Sequence, residues 1–246
     1  MHTRQYGLLG KNISYSFSKA YFAKKFEKEE LNLCSYQNFD LENVFEITSV
    51  LKKHRDLKGL NVTIPYKESV LPFLDKISKN ATKIGAVNTI KISKKGVLKG
   101  YNTDFYGFKK ALKPLLQPHH QKALILGTGG ASKAIAFALK KLKIDYKYVS
   151  RSPLKNGLLY DQLDETIFKS YQIIINCTPI GTSPKINECP QIPYQFLSPK
   201  HLVFDLIYNP EKTLFLQKAA QHGAEIQNGL KMLEFQAEKA WEIWNS

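Results

Sequence analysis

The sequence is poor in cysteine and has no long apolar run. Its three cysteines, Cys34, Cys177 and Cys189, are widely spaced, without a Cys-x-x-Cys pair or histidines at ligand spacing. We therefore expect buried free thiols, and neither disulfides nor a metal site. No apolar segment reaches the roughly 20 residues that a membrane-spanning helix needs, and no signal-peptide pattern is present. We expect a cytoplasmic protein without a membrane partner.

Acidic residues are scarce relative to basic ones. The chain has 36 lysine and arginine residues against 21 aspartate and glutamate residues, a formal net charge of +15. Such an imbalance can indicate binding to nucleic acid, to an acidic surface or to small anions. The lysines recur among apolar residues at helical spacing, for example at 109, 110 and 113, which is typical of solvated helix faces. We expect anionic small molecules, and no nucleic acid partner.

The chain contains a regular alternation of strand and helix patterns. Its apolar fraction of 43% is that of a globular protein with a real core. In the first half, strands are predicted at 4–10, 35–39 and 59–64, and helices at 19–30 and 41–53. Ser18 is the expected N-cap of the first helix, and a short helix is expected after Tyr66. This alternation predicts an α/β protein with a mostly parallel sheet covered on both faces.

A dinucleotide-binding pattern follows the polar, proline-containing stretch 117–121. A strand is predicted at 123–126, a glycine-rich turn at 127–132, a helix at 134–142 and a second strand at 146–150. Such a turn lets the backbone approach a pyrophosphate at a helix N-terminus. The second strand ends in Ser150, Arg151 and Ser152, with Lys155 close behind, where an NAD-binding unit usually has an acid. Arg151 offers a planar fork for a 2′-phosphate, so NADP(H) is expected.

Small polar residues follow several predicted strands. They occur in Asn61 to Lys67, in 85–89 and 100–104, in Asn176 with Thr178, and in Asp205 with Tyr208. Open α/β sheets bind ligands at the carboxyl ends of their strands, so these side chains are expected near a site. Lys67 is of interest because it occurs among these polar strand-end residues, although an isolated lysine is usually only solvated. Ser14, Ser16 and Ser18 alternate along a loop, which suits a polyhydroxylated ligand.

In their order and spacing these motifs resemble those of the shikimate dehydrogenase family over nearly the whole chain. The matching segments are 16–18, 61–67, 85–89, 102–104, 127–132, 150–152, 176–181, Asp205 with 208–210, 228–230 and 236–237. The resemblance implies reversible NADPH-dependent reduction of 3-dehydroshikimate to shikimate, a step of aromatic amino acid (chorismate) biosynthesis. It also implies two domains with a cleft between them. Residues 1–103 with 230–246 would form a discontinuous substrate-binding domain, and 104–229 a Rossmann-type NADP-binding domain.

The resemblance implies that Lys67 and Asp104 form the catalytic pair. The expected substrate-binding residues are Ser16, Ser18, Thr63, Asn88, Tyr208 and Gln236. The expected cofactor-binding residues are Gly127, Gly129, Gly130, Ala131, Ser150, Arg151, Ser152, Lys155, Thr178, Gly229 and Met232. Ser150 and Lys155 depart from the family's usual asparagine and arginine, which softens the cofactor preference.

Three alternatives remain open on the sequence alone. An NAD-dependent quinate/shikimate dehydrogenase is the nearest, and the absence of an acid at 150–152 speaks against it. A non-catalytic sensor on the same fold would be favoured by loss of Lys67 or Asp104, yet both are present. A basic nucleic-acid-binding module lacks the expected aromatic and basic pattern. The sequence is compatible with either a monomer or a homodimer.

Overall fold

The computed structural model describes residues 3–14 and 16–246, which form two compact α/β units. The first unit runs up to Thr103 and includes Ala237–Ser246, and the second is Asp104–Gln236. The predicted α/β class is confirmed. The functional division into a substrate-binding domain of 1–103 with 230–246 and an NADP-binding domain of 104–229 stays a prediction. Within the described residues, no helix is long and apolar enough to cross a membrane.

The first unit is a six-stranded sheet with helices packed against it. Its elements are β1 (Arg4–Gly10), α1 (Phe17–Lys28), β2 (Cys34–Asp40), α2 (Ile47–Lys53), β3 (Leu57–Val62), β4 (Lys76–Ile77), α3 (Lys79–Ile84), β5 (Thr89–Ile92) and β6 (Leu98–Tyr101). The strand order is β2-β1-β3-β5-β6-β4. Strand β1 pairs in parallel with β2 and β3, whereas β5 pairs antiparallel with β3 and β6. Strands β5 and β6 therefore form a β-hairpin within a mixed sheet.

Three local predictions in this unit need correction. Ser16, not Ser18, is the N-cap of α1, and its hydroxyl oxygen accepts a hydrogen bond from the backbone N–H of Ser18. The helix predicted at 41–53 is split, because a 3₁₀ turn at Val44–Glu46 precedes α2. Turns, and not an α-helix, directly follow Tyr66 and lead to a 3₁₀ segment at Leu71–Phe73. Pro72 lacks the backbone N–H that a continuing helix would need there.

The second unit is a wholly parallel six-stranded sheet. Its elements are α4 (Asp104–Leu112), β7 (Lys122–Leu126), α5 (Gly130–Lys141), β8 (Asp145–Ser150), β9 (Leu158–Leu159), α6 (Glu165–Ser170), β10 (Ile173–Asn176), β11 (Leu202–Asp205), α7 (Leu214–Gln221), β12 (Glu225–Gln227) and α8 (Leu230–Asn245), whose last residues belong to the first unit. The strand order is β12-β11-β10-β7-β8-β9. The four residues of β10 and of β11 are all buried, which explains their uninterrupted apolar character before the final Asn176 and Asp205.

The side chains of successive residues in these strands pack into two separate cores, one on each face of the sheet. Ile125 and Ile175 pack in the core that includes α4 and α5. Leu124 and Ile174 pack on the opposite face in the core that includes α6 and α7. Because the sheet is parallel, the carboxyl ends of β7, β8, β10 and β11 lie along one edge. The loops that follow β7, β8 and β10 form the nucleotide-binding candidate.

Candidate active site

The glycine-rich turn joins β7 to α5 in the form that a phosphate site requires. Gly127 has φ +97°, a conformation that L side chains rarely adopt, and a Cβ atom built on it would lie 2.8 Å from Thr178 Cγ2. Gly129 is the N-cap of α5, and no side chain among the described residues caps this helix end. The N-terminus of a helix with exposed N–H groups favours an anion. The turn is therefore suited to a pyrophosphate.

A cavity of about 810 Å³ opens beside this turn. Six of the predicted cofactor residues line it: Gly127, Gly129, Ser150, Arg151, Ser152 and Thr178. The other lining residues are Thr128, Val149, Leu154, Tyr160, Cys177, Pro179, Ile180, Cys189, Pro190 and Gln191. Its wall thus combines apolar side chains with a few polar groups, as is usual for a nucleotide or other small-molecule site.

The segment after β8 carries positive charge and no acid. Residues 151–157 contain Arg151 and Lys155 but neither aspartate nor glutamate. Ser150 Oγ accepts a hydrogen bond of 3.1 Å from the backbone N–H of Ser152, which orders the start of this loop. Burial raises the pKa of Tyr160, while the nearby Arg151 guanidinium acts in the opposite direction. A cavity wall with an exposed arginine fits a phosphorylated ribose, so the residues present fit NADP(H).

The remaining predicted cofactor residues are not among the described residues that line this cavity. Gly130 and Ala131 form the first turn of α5, and Lys155 is exposed in the loop after β8. Gly229 and Met232 lie at the start of α8. Their assignment to the cofactor stays a prediction.

Sequence reasoning missed much of the cavity wall. Three of the missed residues are neighbours of predicted cofactor residues, so the strand ends already indicated their place in the wall: Val149, Cys177 and Ile180. Cys189, Pro190 and Gln191 come from an irregular segment between β10 and β11, which has no periodicity. The thiols also differ from expectation: Cys189 is buried, but Cys34 and Cys177 are half-buried. Burial raises the pKa of Cys177 well above its usual value, which disfavours the reactive thiolate.

In the first unit, a chain of buried hydrogen bonds starts at Tyr36 of β2. Burial raises the pKa of the Tyr36 hydroxyl, while the nearby side chain of Ser18 acts in the opposite direction. Tyr36 donates to Asn61 Oδ1 at 2.8 Å. Asn61 Nδ2 in turn reaches the carbonyl oxygen of Asn88 at 3.4 Å. Ser18, a predicted substrate ligand, therefore lies beside a network that joins β2 to polar residues at β3 and β5.

The same network fixes the side chain of Asn88. Its Nδ2 lies 3.0 Å from Thr103 Oγ1, and its Oδ1 accepts from the backbone N–H of Thr103 at 2.6 Å. Thr89 Oγ1 also donates to Asn88 Oδ1 at 3.2 Å. Asn88 is 3% exposed, so these contacts hold its amide in a defined orientation. Tyr36 had not been predicted, whereas Asn61 and Thr103 lie in the segments 61–67 and 100–104, which were expected near a site without a role for these two residues.

Lys67 and Thr63 lie in the turns that follow β3. Both side chains are half-buried. The backbone N–H of Thr63 donates to the carbonyl oxygen of Leu9 at 2.9 Å. The carbonyl oxygen of Lys67 accepts from the backbone N–H of Val87 at 2.7 Å. The latter bond places the backbone of Lys67 beside the residue that precedes Asn88. The structure thus groups Lys67 with the polar network in one unit.

Asp104, Gln236 and Tyr208 belong to the second unit. Asp104 is buried at the first position of α4, and Gln236 is buried on α8. These helices lie in contact one turn further on, where a Cβ atom built on Gly107 would lie 3.0 Å from Gln236 Cβ. Tyr208 is half-buried in the loop between β11 and α7. The roles of these three residues stay predictions.

Fold and site together define a two-unit α/β oxidoreductase of the dinucleotide-binding class. Residues 8–90 match the family model described as the shikimate dehydrogenase substrate binding domain. A Clostridium botulinum protein named shikimate dehydrogenase (NADP(+)) is 39% identical over 249 residues, covering 97% of this chain and 95% of that relative. The chain belongs to the shikimate dehydrogenase family.

Solved structures agree with this membership. Shikimate dehydrogenase from Aquifex aeolicus has a TM-score of 0.87 and 33% identity, covering 99% of this chain and 92% of that one. The Thermus thermophilus enzyme, solved in complex with NADP(H) and shikimate, has a TM-score of 0.85 and 32% identity, covering 98% of this chain and 93% of that one. The resemblance inferred from the motifs is therefore confirmed.

Proposed function

We propose that this chain is an NADP-dependent shikimate dehydrogenase, which reversibly reduces 3-dehydroshikimate to shikimate in aromatic amino acid biosynthesis. The observation that carries the proposal is the cavity beside the glycine-rich turn, which collects six predicted cofactor residues at one sheet edge. Membership in the family, with relatives named for this activity, supports the choice of substrate. The absence of an acid from residues 151–157 favours NADP(H) over NAD and speaks against the NAD-dependent quinate/shikimate alternative.

The reaction needs a hydride donor and a group that handles charge on the substrate. NADPH, when bound, supplies the hydride that reduces the ketone of 3-dehydroshikimate. Negative charge then develops on the ketone oxygen, where a positioned donor stabilises it. We assign this role to Lys67, which also supplies the proton in the reductive direction. Its half-buried position next to the Asn88 network supports the assignment.

Asp104 is assigned as the second catalytic group. A carboxylate can accept hydrogen bonds from an ammonium group and from a substrate hydroxyl. Its burial at the N-terminus of α4 supports a fixed orientation, and a negative charge is favoured at this end of a helix.

The substrate ligands are assigned by the donors they offer. Ser16, Ser18 and Thr63 carry hydroxyls that suit a carboxylate, and Asn88 carries an amide that suits ring hydroxyls. The buried network around Asn88 supports its assignment, because it fixes the orientation of the amide in advance of binding. Tyr208 and Gln236 complete the proposed set.

An absorbance assay tests the proposal. Purified protein is mixed with NADP+ and shikimate, and the formation of NADPH is followed by the absorbance of its reduced nicotinamide. The same assay is repeated with quinate and with NAD+. We expect the highest kcat/KM for shikimate with NADP+. A higher kcat/KM for quinate with NAD+ would replace this proposal by the alternative.

We further propose that the protein is cytoplasmic and functions as a monomer or homodimer, without nucleic acid or membrane partners. Size-exclusion chromatography with light scattering distinguishes the two assemblies. A shift of labelled DNA or RNA at physiological salt would contradict the expected absence of a nucleic acid partner.

A further inference from the structure

Asp205 is a buried carboxylate that the catalytic scheme above does not use. It ends β11, is 0% exposed, and pairs in register with Asn176 at the end of β10. Three donors reach it: Asn176 Nδ2 at 3.0 Å, the backbone N–H of Ile207 at 3.1 Å, and Thr213 Oγ1 at 2.6 Å. Burial nevertheless raises its pKa to about 6, while these hydrogen bonds act in the opposite direction. The carboxylate is thus held in place by contacts from the end of β10 and from the loop after β11.

Asn176 transmits this arrangement to the wall of the cofactor cavity. Its Oδ1 accepts from the backbone N–H of Thr178 at 3.0 Å and from Thr178 Oγ1 at 2.7 Å. Thr178 Oγ1 in turn accepts from the backbone N–H of Ile180 at 3.3 Å. Both Thr178 and Ile180 line the cavity. The shape of this wall therefore depends on which end of the Asn176 amide points toward Thr178.

The carboxylate of Asp205 determines that orientation. An ionised carboxylate only accepts hydrogen bonds, so it selects the Nδ2 end of the Asn176 amide. Oδ1 is then the end that faces Thr178, where two donors require an acceptor. A flipped amide would place donor against donor at Thr178 and acceptor against acceptor at Asp205. The orientation is consequently fixed at both ends.

Asp205 also holds the loop that carries Tyr208. Its bonds to Ile207 and Thr213 lie on either side of Tyr208. Thr213 is in addition the N-cap of α7, and its hydroxyl oxygen accepts from the backbone N–H of Leu216 at 3.3 Å. The two loops are tied directly as well, because Ser183 N–H donates to the carbonyl oxygen of Asn209 at 3.2 Å.

We propose that Asp205 is a positioning residue, which fixes the Asn176 amide so that loop 177–181 keeps its cofactor-binding shape, and which ties this loop to the one carrying Tyr208. The inference rests on the proposed function, since it concerns the affinity for NADP(H). Asp205 acts through Asn176 and Thr178 and need not touch the cofactor.

Asp205→Ala and Asp205→Asn form the informative pair. In Asp205→Asn, the amide oxygen can still accept from Asn176 and Ile207, and the new Nδ2 can donate to Thr213 Oγ1. We expect Asp205→Ala to raise the Kd for NADPH and the KM for NADP+ by about tenfold or more, on the scale seen when residues that orient a ligand group are removed. The kcat should fall by a smaller factor than the affinity for NADPH. Asp205→Asn should restore most of the binding.

Phe168→Leu is the matched control, because Phe168 is buried in the same unit outside this network. NADPH binding is measured by fluorescence titration of folded protein, and turnover by the shikimate assay. A Kd for NADPH of Asp205→Ala within about twofold of that of Phe168→Leu would overturn the inference. An equal loss of NADPH affinity in Asp205→Ala and Asp205→Asn would overturn it too. Should Asp205→Ala not fold, Asn176→Ala breaks the same link, and unchanged NADPH affinity there would overturn it too. Wild-type protein that neither binds NADPH nor oxidises shikimate would refute the proposed function instead.

Discussion

The indole ring of Trp244 lies directly on the backbone of Gly59. A Cβ atom built on Gly59 would overlap this ring, and Trp244 Nε1 donates to the carbonyl oxygen of Ile90 at 3.0 Å. Trp244 also packs with the rings of Tyr6 and Phe22. The end of α8 is thereby fastened to the first sheet.

Removing this contact should destabilise the first unit. We expect Trp244→Ala to lower the free energy of unfolding by about 3–5 kcal/mol, because it deletes a buried aromatic ring and a hydrogen-bond donor. Denaturant unfolding followed by circular dichroism measures the change. Phe45→Ala is the control, since Phe45 is 71% exposed and its loss should cost far less. Comparable losses in the two variants would contradict the importance of the Gly59 contact.

Lys67→Ala should lower turnover by about a hundredfold or more, with a modest effect on the KM for shikimate. The reason is that a positioned acid contributes on this scale in the transition state. Steady-state kinetics with shikimate and NADP+ measures both constants. Lys79→Ala removes an exposed lysine of α3 in the same unit and should behave as wild type. Near wild-type turnover of Lys67→Ala would remove the assigned role.

Arg151→Ala should weaken the use of NADP+ and scarcely affect NAD+. Arg151 is exposed in the wall of the cofactor cavity, where its guanidinium can pair with a 2′-phosphate that NAD+ lacks. The measurement is kcat/KM with each cofactor at saturating shikimate. Lys141→Ala, which removes one charge at the last residue of α5, is the control. Equal losses with both cofactors would show that Arg151 does not read the phosphate.

Stability should decrease as the pH falls below about 6.5, because two histidines are buried as neutral rings. His120 Nδ1 accepts from Gln117 N–H, and His201 Nδ1 accepts from Ser198 N–H. Burial lowers the pKa of both below the usual 6.5. Between 6.5 and these lowered values the unfolded chain binds protons that the folded chain does not, so acid favours unfolding.

Unfolding free energies at pH 7.5 and 5.5 measure this dependence. The double variant His120→Asn with His201→Asn should show a flatter pH dependence than wild type, even if it is less stable throughout. The raised pKa of Asp205, about 6, acts in the opposite direction in both proteins and cancels in the comparison. An unchanged slope in the double variant would assign the effect to other groups.

Much of the second unit was predictable because its central strands are buried on both faces. The runs ending at Leu126 and Asn176 read as strands from composition alone, and the glycine-rich turn located the nucleotide site. The short elements β4, β9, α6 and β12 carry too few residues for a periodic pattern. The cap of α1 was misplaced by two residues because three serines compete for one position. Whether Lys67 and Asp104 act together stays a prediction.

The division of α8 between the two units has a consequence for synthesis on the ribosome. The second unit is one uninterrupted segment, Asp104–Gln236, whereas the first needs Ala237–Ser246, the part of this sequence that is translated last. Trp244, which fastens α8 to the first sheet, is among these residues. The amino-terminal unit is therefore the later of the two to complete its core, although its strands emerge first.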